Sequence, residues 1–307
     1  MTGTQEDQVP NDKRNLTRRR VIVASGAAVA ATGIGAMAVT TASAGESTTP
    51  TTPKAAASGD ATEVCYRLTS QTTEGPYYID ADKIRKDITE GEPGIPMTLR
   101  LKVIDSETCK PVAAAAVDIW HCTAMGVYSG YEAMGSGGGG APGGGTPPTG
   151  EPPTGGPGGP GGGGGGGHEE PTDDERYLRG TQVTDKKGYV EFKTIFPGWY
   201  QGRAVHIHTK VHVDGKMTDS GYEGGHTCHT GQFFFAEDAV LDSVGLEPYV
   251  VNTARRTTLT EDTIYDQSGV QGGLLKLTYS KTNMARGVVG SITMGVDPDE
   301  TNEGTGL

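Results

Sequence analysis

His206-Ile207-His208 sets two imidazoles two residues apart within the β-branched run 204–213. On a strand, residues i and i+2 leave the same face with Cα atoms about 7 Å apart, so both rings can reach one metal ion. Taken alone, such a pair is more often ordinary packing or a surface feature. Two phenols change its meaning. Tyr200 stands six residues before His206, in the turn-rich stretch Phe196-Pro-Gly-Trp-Tyr-Gln-Gly-Arg203, which can fold a side chain back over the strand. Tyr128 stands in Gly126-Val-Tyr-Ser-Gly130, shortly after the strand end Asp118-Ile-Trp-His121. The hard anionic oxygen of tyrosinate suits a trivalent ion, so two imidazoles with two phenolates favour Fe(III); Fe(II) oxygenases use two histidines and a carboxylate instead. The ion must also overcome a phenol pKa of about 10, which a trivalent cation at bonding distance does. Copper or zinc on the same histidines is the competing metal reading.

The elements that must carry these residues read as strands. Short runs rich in Val, Ile, Thr and Tyr fall at 97–104, 115–120, 179–184, 189–194, 204–213, 232–235, 274–279 and 288–293, separated by Gly, Asp and Pro. The turn at 105–111 reads as closing a hairpin between the first two, and Asp185-Lys-Lys-Gly188 as the turn between the next two. No long helical period occurs, and only 237–265 has room for a short helix among irregular loops. About eight strands over this length imply an all-β fold, a two-sheet antiparallel sandwich with little helix.

The ordered set Thr73-Glu-Gly-Pro-Tyr-Tyr78, Val117-Asp-Ile-Trp-His-Cys122 with Gly126-Val-Tyr128, Leu178-Arg-Gly-Thr-Gln182, Phe196-Pro-Gly-Trp-Tyr200, Gly202-Arg203, His206-Ile-His208 and Gly231-Gln232 resembles the intradiol ring-cleavage dioxygenases, in particular their secreted branch. The resemblance implies a β-sandwich holding a mononuclear, non-haem Fe(III) on Tyr128, Tyr200, His206 and His208, with Tyr200 leaving when substrate binds. It implies Arg203 as the cation that stabilises charge developing on the substrate ring, Gln232 beside it, and Gly75, Pro76 and Tyr77 as the loop against the aromatic substrate. The implied reaction joins a catechol-type small aromatic with O2 and opens the ring between its two hydroxyl-bearing carbons to a cis,cis-muconic acid. The alternative is a secreted β-sandwich binding module that keeps the scaffold without turnover.

His212 is expected to be structural, His226 and His229 to be loop residues around Cys228, Trp120 to be core packing, and Asp173-Asp-Glu175 to be a solvated acidic loop.

Of 307 residues, much cannot join a core. In the stretch 135–167, 27 of 33 residues are Gly or Pro, which reads as an expanded surface loop inside the domain. Residues 1–44 carry Arg18-Arg19-Arg20 before a weakly apolar run and end in Ala42-Ser-Ala44, the pattern of a twin-arginine export signal with a small-residue cleavage site. Segment 45–62 is a Thr/Pro-rich leader, 63–295 the catalytic domain, and 296–307 an acidic flexible tail. A net charge of −12 argues against nucleic acid and anionic membranes as partners, and no membrane anchor is expected once the signal is cleaved. An exported chain with four cysteines suggests two disulfides. Because the resemblance brings the Tyr128 and Gln232 segments to one iron, Cys122 pairs with Cys228 in this reading, and Cys65 is left to pair with Cys109.

Overall fold

The computed structural model describes residues 67–80, 83–136 and 169–304; the export segment, the leader, Cys65 and nearly all of the Gly/Pro tract lie outside them. Alternation in the first run is realised in β1 (Pro96–Asp105), which buries Met97, Leu99, Leu101 and Val103 and turns Arg100 outward to Glu191. Among the described residues nine further strands follow: β2 (Ala116–Trp120), β3 (Arg179–Val183), β4 (Tyr189–Ile195), β5 (His206–Val213), β6 (Lys216–Thr218), β7 (Gly221–Glu223), β8 (His226–Phe234), β9 (Lys276–Tyr279) and β10 (Val288–Val296). Among the described residues there is one α-helix, α1 (Glu237–Ser243), within the segment expected to hold it.

Two four-stranded sheets, β4-β1-β10-β9 and β3-β2-β5-β8, form the sandwich, and β6-β7 is a small ribbon. Leu99, Phe192 and Met294 from the first sheet share one apolar core with Val117, Ile119, Ile207, Val211 and Phe233 from the second. Each such side chain contributes about 1.5–3 kcal/mol when fully buried. Between these strands the pairings are antiparallel except β1 with β10, which run parallel with Met97 opposite Val288.

Three expectations are corrected here. First, β1 and β2 do not form a hairpin; they belong to different sheets, because the turn at 105–111 hands the chain across the core. Second, the strand expected at 232–235 begins at His226, so His226 and His229 are strand residues and not loop residues. The reason is pairing with β5, which continues past a bulge between Val211 and His212. Third, Cys122 and Cys228 are both free and buried. Cys228 belongs to the apolar core between the sheets, whereas Cys122 belongs to an aromatic cluster with Trp120, Tyr128 and Tyr200, so the two thiols are not partners. Cys109 is disulfide-bonded, and the partner expected for it, Cys65, lies outside the described residues.

β5 positions the centre. Ile207, Thr209 and Val211 point to the core side, while His206, His208, Lys210 and His212 share the other face; nearly the whole strand is buried because the 73–78 loop covers that second face.

Candidate metal centre

His206 and His208 leave β5 side by side, with their Nε2 atoms 3.0 Å apart. Tyr128 Oη and Tyr200 Oη each lie 3.4 Å from His206 Nε2. Metal bonds of about 2.0–2.1 Å separate neighbouring donors by about 3.0–3.4 Å in octahedral or tetrahedral shells, so these spacings are those of one coordination sphere. Among the described residues no group of three or more His, Cys, Asp or Glu side chains is placed to hold a metal. The donor set therefore depends on its phenols.

The protonation states fit that use. The Ala204 carbonyl lies 2.7 Å from His206 Nδ1 and can only accept, so Nδ1 carries the proton and Nε2 presents its lone pair to the cluster. Burial, then the nearby Arg203 cation, pushes His206 down to about 3, and burial followed by His206 holds His208 well below the usual imidazole range. Both rings are neutral at neutral pH and so have a lone pair to offer a metal ion. Burial raises both phenols above their ordinary pKa, so only a strongly charged cation bonded to oxygen would deprotonate them. The residues present thus fit Fe(III).

Each phenol arrives on its own loop. After β2, the Thr123 carbonyl accepts from Gly126 N at 3.0 Å and Thr123 N donates to the Val127 carbonyl at 2.8 Å, a turn that throws Tyr128 back over the sheet. Gly126 has φ +79°, and a Cβ there would sit 2.5 Å from the Trp199 carbonyl oxygen, so only glycine lets the Tyr128 loop touch the Tyr200 loop. Asn252 Nδ2 then joins them, donating to the Ala124 carbonyl at 3.1 Å and the Trp199 carbonyl at 2.9 Å. Trp199 is directed away from the centre and packs on Tyr249 in the main core, while its successor Tyr200 turns to His206.

Arg203 and Gln232 meet, with Nη2 donating to Oε1, and Gln232 Nε2 donates to the Thr73 carbonyl at 3.0 Å. Gly75, with φ +74°, rests above His208; a Cβ there would come within 3.2 Å of the ring carbon Cε1. Tyr77 packs against both Tyr128 and Tyr131 with tilted rings, centroids 4.9 Å apart in each pair, and Pro76 is exposed at the loop tip. The structure therefore brings together Gly75, Tyr77, Tyr128, Tyr200, Arg203, His206, His208 and Gln232, with Pro76 at the rim.

Several neighbours carry more than their sequence reading gave them. Trp120, opposite His208 across β2 and β5, lies parallel to its imidazole with centroids 4.9 Å apart, so this core residue also fixes the orientation of that ring. Arg179 is 2% exposed; it donates to the Tyr77 carbonyl at 2.7 Å and to the Ser129 carbonyl at 2.7 Å, clamping the pocket loop to the Tyr128 loop. Lys210 pairs with Glu74 at 2.5 Å beneath the same loop and lies over the Tyr78 ring. His212 is structural, bonded to Asp118 at 3.1 Å. Asp173 is not merely solvated: its carboxylate accepts from Gly130 N and Glu132 N, both at 2.9 Å, just beyond Tyr128. In the expected tail, Asn302 N donates to the Thr227 carbonyl and Glu74 N to the Gly304 carbonyl, which lays this segment against β8 and the pocket loop.

No protein-family model and no curated protein matches the chain. Among solved structures it is similar to an intradiol ring-cleavage dioxygenase from Tetranychus urticae, at 28% identity, 78% of this chain and 98% of that one, with a TM-score of 0.58. A second dioxygenase crystal structure matches at 28% identity over the same shares, with a TM-score of 0.59.

Proposed function

The chain has the fold of the intradiol ring-cleavage dioxygenases, and on that premise we propose that it is an exported, non-haem Fe(III) enzyme that opens catechol-type rings with O2. The bond broken joins the two hydroxyl-bearing carbons, and both oxygen atoms enter the cis,cis-muconic acid product. The observation that carries this reading is the convergence of two imidazole nitrogens and two phenol oxygens at 3.0–3.4 Å.

Fe(III), when bound, supplies an electron-accepting Lewis acid for the two catechol oxygens. The remaining work falls to the chain. Tyr128, 2% exposed beneath Tyr77, is the fixed phenol. Tyr200, 8% exposed and beside Arg203, is the one free to swing out, and its Oη takes one proton from the substrate hydroxyls. Arg203 offers a fixed guanidinium to negative charge on the ring, and Gln232 holds that cation in place. Tyr77, backed by Tyr131, offers the apolar ring surface beside Tyr128, which favours a flat aromatic. Export follows from the signal-like sequence of residues 1–44.

Oxygen uptake against a panel of catechols, with product identification and metal analysis on protein purified without chelator, tests the activity. Ring-opened muconate products at one iron per chain support it; an iron-free protein that binds catechols without consuming O2 is a binding module and overturns it. N-terminal sequencing of secreted protein tests export, with cleavage after Ala44 expected.

A further inference from the structure

Asp262 lies in the irregular stretch between α1 and β9, far in sequence from every ligand, and its side chain is fully buried, 0% exposed. Everything facing it is a donor. Its Oδ2 accepts from Arg203 Nε at 3.0 Å and from the Ala204 amide at 2.7 Å; its Oδ1 accepts from the Ile264 and Tyr265 amides at 2.8 and 2.9 Å. The Ala204 carbonyl, on the next peptide, accepts from His206 Nδ1. Arg203 continues through Gln232 to the Thr73 carbonyl beside Gly75.

We propose that Asp262 is the positioning residue of this centre, fixing the Arg203 guanidinium and the His206 ring relative to one another from outside the coordination sphere. The inference rests on the function proposed above. One carboxylate anchors the cation by its Nε edge, so that Nη2 is left to Gln232, and it also holds the amide of Ala204, the residue whose carbonyl, on the following peptide, accepts from His206 Nδ1. Only an acceptor-only group with two oxygens can meet four donors. An amide in its place turns an NH2 toward two N–H groups, and displacement of the Arg203–Ala204 edge follows. A purely structural Asp262 would hold the 262–265 turn alone, through Oδ1, and its loss would act independently of Arg203.

The test is a double-mutant cycle in the full chain, with metal-free spectra beside it. In iron-loaded protein, D262N is expected to lower kcat at least about 10-fold with KM within about two-fold, since small misplacements of a catalytic group cost up to about 100-fold. In the R203A background, where only the His206 arm remains, D262N should lower kcat by a clearly smaller factor than in the wild type. In metal-free protein, long-range 1H–15N correlation should show His206 with Nδ1 protonated in the wild type and in R203A, and the two tautomers mixed in D262N. D262E, which keeps the charge and both acceptors, should regain part of kcat and serves where D262N fails to fold. Equal kcat losses in the wild-type and R203A backgrounds, with an unchanged His206 tautomer, overturn the proposal. A wild-type protein that consumes no O2 sinks the proposed function instead, and the tautomer comparison then still decides on Asp262.

Discussion

Tyr128→Phe and Tyr200→Phe each delete one oxygen from a cluster whose members lie 3.0–3.4 Å apart. Iron-loaded wild type should show a visible phenolate-to-iron absorption, which each variant alters while turnover falls steeply. A Tyr200→Phe protein with the wild-type spectrum and rate would remove Tyr200 from the set. Arg203→Ala is expected to keep iron and to slow the chemical step by about 3 kcal/mol, roughly 100-fold, the typical cost of losing one preorganised donor to developing charge. Single-turnover kinetics with metal analysis separates that outcome from loss of the metal. At this scale the sequence was informative where chemistry and local spacing coincide: His206-x-His208 follows from the two-residue period of a strand. Tyr128 and Tyr200 needed ordered motifs, since phenols are common on strands and loops alike. Asn252 and Asp262 were not readable, because their bonds run to backbone groups of segments that are close only in three dimensions.

Loops, more than strands, aim the phenols, so the strongest element-level test is the staple between them. Asn252→Ala leaves the Ala124 and Trp199 carbonyls without their donor, which should cost about 1–3 kcal/mol of stability and weaken iron retention. Denaturant unfolding and iron retention on dialysis read the two effects. Beneath the pocket loop, Lys210→Met removes the buried cation paired with Glu74 and should destabilise by about 3–5 kcal/mol, and adding Glu74→Gln, which removes the opposing charge, should return part of it. If the double variant is no more stable than the single one, the pair is not what holds this loop down. Strand positions were legible because β1 and β4 bury one face and alternate cleanly. β8 was cut short because Cys228 and His229 fall at a bulge, where the period slips, and Gly residues upstream look like a loop. The even cysteine count misled for a related reason. It carries no information about faces, and Cys122 and Cys228 lie in different clusters.

Across the whole molecule, acid sensitivity should follow its buried neutral histidines. Burial lowers both His121 and His229 to about 4 in the folded protein, against 6.5 when unfolded. Above pH 6.5 the two are neutral in both states and cost nothing. As pH falls from 6.5 toward 4 the unfolded chain takes up protons that the folded one refuses, so stability should fall by about 1.4 kcal/mol per pH unit for each histidine, and level off below 4. Unfolding free energies measured between pH 7.5 and 4.5 test this, and His229→Leu should make the dependence shallower; an unchanged slope would exclude His229 as a source. The parallel register of β1 with β10 bears on how the protein comes to exist at all. β1 is translated early and β10 late, yet they are neighbours at the centre of one sheet. While the ribosome is still at work, one side of β1 has no partner, and its N–H and C=O groups stay open to any other strand, including one on a neighbouring nascent chain. The sandwich therefore closes only when the last strand has emerged, and a message cut short before Val288 should yield an aggregating fragment with no iron centre.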